Sequence, residues 1–397
     1  MNRKYVVSSI VSNISWPKII LTVILAATVI GTLVATKTLA AINRDIAAAK
    51  EAARPANVRL IKIITPNCQD CFNVELAVND FKKQNVKVEE EKTLNFDSPE
   101  AGASIKQLAI KKVPTYFVTG EVTKNNLENF VKESGEIRDN TFIFTKLSPI
   151  FVDTETKREM GRVIVTLITD PLCSKCTDVK IVVENFKKAG VKVREIREFS
   201  WNSYDGQSVI SQYRITKVPT FIFSSEFDLY DSAKSTWQNF GTVENDKTYV
   251  TRNLPLPYRD LTKGQLVGFV DLIYLTDASC IDCYKAPDVQ KPILTQGYGV
   301  ALRSERTVDI FSGEGQSLIS KYKIIKIPTI LISPEANQYT NLKNVWKNVG
   351  TVEQDGWFVF RELQQLKGVV YKDLTTNQIV GRVQSATPSA TPSGVKQ

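Results

Sequence analysis

Histidine is absent from all 397 residues, which removes the imidazole ligand from any zinc reading. Cysteine is missing outside one pattern. All six cysteines lie in three Cys-x-x-Cys pairs, Cys68/Cys71, Cys173/Cys176 and Cys280/Cys283. A small secreted scaffold scatters its cysteines to cross-link distant loops, so this usage argues against that class. Clustered basic charge is lacking too. Lys and Arg number 51 against 42 Asp and Glu, a net charge of +9, but they are spread along the chain without aromatic-studded stripes. No nucleic-acid partner is expected from such a distribution.

What is present is a folding composition, 43% apolar, in a length that suits two to four ordinary domains. Behind a short N-terminal segment, 1–18, residues 19–36 form an uncharged run (IILTVILAATVIGTLVAT) between Lys18 and Lys37. As a helix it measures about 27 Å, one hydrocarbon core. Two readings stand: a transmembrane anchor, or a signal peptide cleaved after Thr38-Leu39-Ala40. The anchor is favoured because the run exceeds a usual signal core. Basic residues flank both sides, so their count does not orient it, but a lone N-terminal span ahead of a long soluble region usually exports that region. The expectation is a single-pass cell-membrane protein whose C-terminal domains are extracytoplasmic. Residues 37–57 are Ala-rich up to Pro55 and read as a helical stalk, while 385–397 (SATPSATPSGVKQ) read as a disordered tail.

Between stalk and tail the chain repeats itself. RLIKIITPNCQDC, RVIVTLITDPLCSKC and FVDLIYLTDASCIDC each set a β-branched run before a cysteine pair, with first cysteines 105 and 107 residues apart. Val113-Pro114-Thr115, Val218-Pro219-Thr220 and Ile327-Pro328-Thr329 follow those cysteines by 46, 46 and 48 residues to the proline. Gly135, Gly241 and Gly350 open hairpin-like stretches, and Trp237 and Trp346 precede two of them as core aromatics. Each copy therefore reads as strand, cysteine pair opening a helix, strand, helix and proline strand, an α/β unit that needs a crossover. A Tyr/Phe-x-Asp element follows, as in Pro257-Tyr258-Arg259-Asp260, and it recurs as Tyr371-Lys372-Asp373 with no fourth domain behind it. It therefore closes the domain before it. The implied division is 58–160, 161–267 and 268–384.

A cysteine at the first turn of a helix meets free N–H groups and the positive dipole end, which favour thiolate. A second cysteine one turn on can resolve the mixed disulfide. Cys68, Cys173 and Cys280 are thus the expected attackers, and Cys71, Cys176 and Cys283 the resolving thiols. Lys175 should favour thiolate in copy two, whereas Asp70 and Asp282 should disfavour it in copies one and three. Asp170 and Asp277, three residues ahead of their first cysteines, are expected to cap loops, with proton handling as the other reading.

The strand, the cysteine pair and the Val/Ile-Pro-Thr about forty-six residues later resemble the thioredoxin and glutaredoxin superfamily, over 58–145, 161–250 and 268–360. The resemblance implies three tandem thioredoxin-like domains, each a mixed sheet flanked by helices, behind the N-terminal transmembrane helix. It further implies that Pro114, Pro219 and Pro328 are cis and face the cysteines. With Val113, Val218 and Ile327 they would bind an extended substrate strand. This sequence departs from thioredoxin in lacking the Trp before the pair and the Gly-Pro within it. The family's buried carboxylate, six residues before the first cysteine, falls on Lys62, Leu167 and Tyr274, none acidic. Fast thioredoxin-type turnover is therefore not implied.

The function expected is thiol–disulfide exchange on extracytoplasmic proteins, with protein thiols or disulfides as partners, the membrane contacted through 19–36, and no cofactor or bound metal. Two other readings stay open: a non-catalytic adaptor with structural or sensing disulfides, and metal binding by thiolates of separate pairs.

Overall fold

A computed structural model describes residues 16–124 and 127–381. The first fifteen residues of the N-terminal segment and the whole tail at 385–397 lie outside the described residues. The expected span and the stalk as far as Ala53 form one helix, α1 (Trp16–Ala53), in which the 38 residues run on without a break, whereas Ala56 and Asn57 of the expected stalk already belong to a strand. From Ile19 it is long and apolar enough to cross a bilayer.

The first repeat then runs β1 (Ala56–Ile64), α2 (Val74–Lys82), β2 (Val86–Asn95), α3 (Pro99–Gln107), β3 (Lys112–Val113), β4 (Thr115–Gly120), α4 (Glu128–Ser134), β5 (Gly135–Arg138), β6 (Thr141–Phe144), β7 (Phe151–Asp153) and β8 (Glu159–Met160). Its main sheet has the order β2-β1-β4-β6-β5. The β1–β2 pair is parallel and joined through α2, and the remaining neighbours are antiparallel. A second, small sheet joins β3, β7 and β8. Both sheets recur in the other two repeats, with the β1 counterparts at Val163–Thr169 and Phe269–Thr276. The chain divides into two compact units, Met1–Met160 and Gly161–Gln397, the second holding copies two and three.

Period-two alternation builds the core on both faces of each sheet. In copy one Tyr116, Val118, Phe142 and Phe144 pack toward α2, whose Val74, Ala77, Val78 and Phe81 recur at helical spacing. Phe117 and Ile143 point to the opposite face and join Cys68, Ala101 and Val113. Trp237 and Trp346 are core residues, 2% and 3% exposed, as their scaffold positions lead one to expect. The recurrent glycine has a steric cause, since a Cβ on Gly135, Gly241 or Gly350 would stand 2.0, 2.0 or 2.2 Å from a carbonyl oxygen of the facing strand.

The end of α1 is tied to the first unit by Arg54, whose guanidinium meets Glu121 at 2.5 and 2.6 Å. Glu121 also accepts the Asn57 amide at 2.8 Å, and Lys124 donates to the Arg54 carbonyl at 2.8 Å. The Arg54 guanidinium, seconded by that amide, holds the Glu121 carboxyl down at about 2. A folded value below the ordinary 4.5 means that the contribution is present above pH 4.5 and lost as pH falls toward about 2. In the full-length protein, Glu121→Gln is expected to speed amide exchange at Ala56–Val58 at neutral pH. Acid should do the same to the wild type within that window, and unchanged protection would show that the ion pair does not hold the stalk.

Candidate active site

Each cysteine pair sits in a turn between the first strand and first helix of its repeat. The amides of Cys68, Cys173 and Cys280 donate to the carbonyls of Thr65, Asp170 and Asp277 at 3.0, 3.0 and 3.1 Å, and those of Cys71, Cys176 and Cys283 donate back to the first cysteine of each pair at 3.4, 3.2 and 3.2 Å. All three pairs are disulfides, with Cα atoms 5.4, 5.3 and 5.4 Å apart.

The sequence places the first cysteine in the opening turn of a helix, and the structure corrects this. The helices begin at Val74, Val179 and Ala286, three residues after the second cysteine. Asn73 and Asp178 are the N-caps and take the amides of Glu75 and Lys180. Each cap satisfies one of the free N–H groups at the start of its helix. Dipole effects fade within a turn, so thiolate stabilisation from the helix is smaller than the sequence alone leads one to expect.

The peptide bonds preceding Pro114, Pro219 and Pro328 are cis. In copies one and three the proline segment lies against the cysteine turn. In copy one Cys68 and Val113 share an apolar cluster, and in copy three the Tyr284 hydroxyl donates to the Pro328 carbonyl at 2.9 Å. Val113, Val218 and Ile327 are fully buried. The expected free edge beside the proline is already taken, because these residues pair with Val152, Arg259 and Lys372 of the domain's own closing hairpin.

The same hairpin supplies site residues that sequence reasoning missed. Arg259 Nε donates to the fully buried carboxylate of Asp170 at 2.7 Å, and Lys372 Nζ donates to that of Asp277 at 2.7 Å. Asp170 also accepts the Trp201 indole and the Leu172 amide, both at 3.1 Å, so the capping role holds alongside the ion pair. A carboxylate oxygen of Asp170 and the sulfurs of Cys173 and Cys176 lie within 4.8 Å of one another. Burial pushes the Asp277 carboxyl up, but the Lys372 ammonium and the Ser279 hydroxyl and amide outweigh it and leave it below the ordinary aspartate value. In copy one these positions hold Thr65 and Val152. The signal was legible: the residue within Tyr/Phe-x-Asp is cationic where the residue three before the first cysteine is Asp, and apolar where it is Thr.

The Lys175 ammonium donates to the Leu302 carbonyl at 2.9 Å. It forms one wall of a groove of about 890 Å³ at Cys173, which Arg259, Lys263, Arg303 and Glu335 also line. The inner positions of the pairs stand out to solvent, with Ile281 at 92% exposure.

Strand order, cysteine turn and proline segment together define a thioredoxin-like chain with three disulfide pairs. No family model and no curated protein matches it. Among solved structures it is similar to ERdj5 form II, at 12% identity over 75% of this chain and 42% of that one, with a TM-score of 0.15. It is similar to a protein disulfide oxidoreductase from Aeropyrum pernix K1 at 16% identity over 44% and 77%, TM-score 0.13, and to human ERp44 at 10% over 80% and 94%, TM-score 0.14. The chain spans about two fifths of the ERdj5 chain it matches. The fold assignment rests on the topology and turn geometry described above.

Proposed function

We propose that this chain is a membrane-anchored thiol–disulfide oxidoreductase or isomerase that acts on extracytoplasmic proteins through its three cysteine pairs. The observation that supports it is the recurrence, three times, of a disulfide in the same turn between first strand and first helix, in repeats that each carry a cis proline. In the reducing direction the thiolate of Cys68, Cys173 or Cys280 attacks one sulfur of a substrate disulfide. A new S–S bond joins enzyme to substrate, and the displaced substrate sulfur leaves as thiolate. Cys71, Cys176 or Cys283 then attacks the enzyme sulfur of that bond. The second substrate sulfur is expelled, and two electrons have passed from the pair to the substrate. On this reading 19–36 is the anchor, 37–57 the stalk, and 58–160, 161–267 and 268–384 are three redox domains on one tether, which raises the local concentration of pairs.

The deciding experiment titrates the three pairs of the full chain against glutathione and dithiol buffers. Exchange requires potentials in the range of known oxidoreductases, together with insulin reduction that disappears in the Cys68→Ser/Cys173→Ser/Cys280→Ser protein. Potentials far below about −300 mV would make the pairs structural bonds and favour an adaptor.

A further inference from the structure

An edge strand beside a reactive sulfur is the natural place for an extended peptide to dock, because its unpaired amides and carbonyls give strand-to-strand bonds. In this chain that edge is not vacant. In an antiparallel ladder the bonded pairs recur at every second residue. The amides of Thr154, Leu261 and Leu374 donate to the carbonyls of Lys111, Thr216 and Ile325 at 3.0, 2.8 and 2.8 Å. Two residues along, the pairs Val113/Val152, Val218/Arg259 and Ile327/Lys372 therefore occupy bonded positions. Two residues further, the carbonyls of Ile150, Pro257 and Val370 accept the amides of Phe72, Thr177 and Tyr284, the residues next to the second cysteines. The closing strand thus runs from the proline edge to the cysteine turn, as a bound peptide would.

We infer that the closing hairpin of each repeat is an internal occupant of the peptide edge, so that the disulfides are open to small thiols and latent toward extended cysteine peptides. This rests on the exchange reading above. The repeats hold the occupant by different means. In copy one Ile150, Phe151 and Val152 are buried, and Ile150 and Val152 pack with Cys68 and Val113, so the strand is sealed by apolar contact. In copies two and three the strand residues are half-buried, and the one at the bonded position reaches a buried carboxylate three residues ahead of the first cysteine. Asp170 lies beside both sulfurs of its pair, so the latch of copy two borders the reacting atoms. Copies two and three can be released by removing charge, whereas copy one cannot.

The test uses full-length chains that keep one pair each, the other four cysteines being serine. Reduction is followed with reduced glutathione and with an unstructured twelve-residue peptide carrying one central cysteine. With either reductant a thiolate attacks a pair sulfur and releases the other cysteine as thiolate; a second reductant thiolate then yields reductant disulfide and the dithiol. With rates normalised to the fraction of thiolate, the peptide is expected to gain nothing over glutathione at any native pair. Asp170→Asn with Arg259→Gln, which replaces the ion pair by neutral groups, should raise the ratio of peptide to glutathione rate at copy two about tenfold, because the competent open fraction rises while the changed charge beside the sulfurs acts on both reductants. Amide exchange in the oxidised protein gives the second readout. The double substitution should speed exchange at 216–219 and 257–262 and leave the main sheet protected. A native pair that prefers the peptide, or a double variant with an unchanged ratio of peptide to glutathione rate and unchanged exchange at those segments, overturns the inference. Failure of both reductants at every pair instead sinks the exchange reading, while the amide exchange still reports whether the strand is latched.

Discussion

Replacing Arg259 with leucine is expected to destabilise the second repeat by about 3 kcal/mol, the cost of leaving one member of a buried ion pair without its partner. Asp170 is fully buried on its side chain, and Arg259 is 14% exposed, so neither charge is rescued by solvent where it stands. The Trp201 indole and the Leu172 amide remain on the carboxylate, which keeps the expected loss at the lower end of what such deletions cost. Removing both charges with Asp170→Leu/Arg259→Leu should restore much of that loss, since an apolar pair of similar volume carries no desolvation penalty. Lys372→Leu should follow the same direction in copy three. There Asp277 titrates below its ordinary value, so the Lys372 contribution stands above pH 3.8 and is lost as pH falls below it. Amide exchange resolved by repeat, in the full chain under increasing denaturant, measures each case. A loss under about 1 kcal/mol for Arg259→Leu would class the bridge with surface pairs.

Much of this architecture was legible because the repeats tested one another. One β-branched run before Cys-x-x-Cys is ambiguous, but three at near-constant spacing, each followed by Val/Ile-Pro-Thr, leave few topologies. Tyr371-Lys372-Asp373, like its counterparts in the earlier repeats, pairs with the proline segment of the repeat it follows, as β7 pairs with β3. The aspartate of that element has a local task. Asp153, Asp260 and Asp373 accept the amides of Thr156, Thr262 and Thr375 at 2.8, 2.9 and 2.8 Å and turn the hairpin.

What periodicity could not carry was the site's geometry at the scale of one helical turn. Helix periodicity begins in the residues just after the cysteines, and nothing in it distinguishes a pair inside the first turn from one three residues ahead. The capping chemistry of Asn73 and Asp178 decides this, and both are N-cap residue types visible in the sequence. The ion pairs left only a covariation between repeats, for a different reason. Asp170 and Arg259 are 89 residues apart, and only the return of the closing strand to the proline edge makes them neighbours.

Trp237→Ala is expected to cost the second repeat about 3–5 kcal/mol, the range for truncating a buried aromatic. Trp237 is 2% exposed and stands among Phe186, Phe221, Phe223, Phe227, Phe240 and Tyr249, with ring centroids 5.4 to 6.2 Å away. Its indole also donates to the Thr242 carbonyl at 3.0 Å, across the turn that Gly241 opens. Truncation therefore removes ring packing and a bond that closes the hairpin at once. Trp237→Phe keeps most of the packing and forfeits the bond, so its cost should be about 1–2 kcal/mol. Trp346 has the equivalent bond to Thr351 at 3.1 Å but, among the described residues, meets two aromatic rings, those of Phe358 and Phe360, so Trp346→Ala should lie toward the lower end of the range. If the aromatic cluster is the source of stability, exchange protection should fall in the strands 163–169, 220–223 and 249–251 for Trp237→Ala, and in 269–276, 329–332 and 358–360 for Trp346→Ala. A loss below about 1 kcal/mol at Trp237 would mean that the surrounding phenylalanines collapse into the space and that the cluster, rather than its central indole, sets the stability of the sheet.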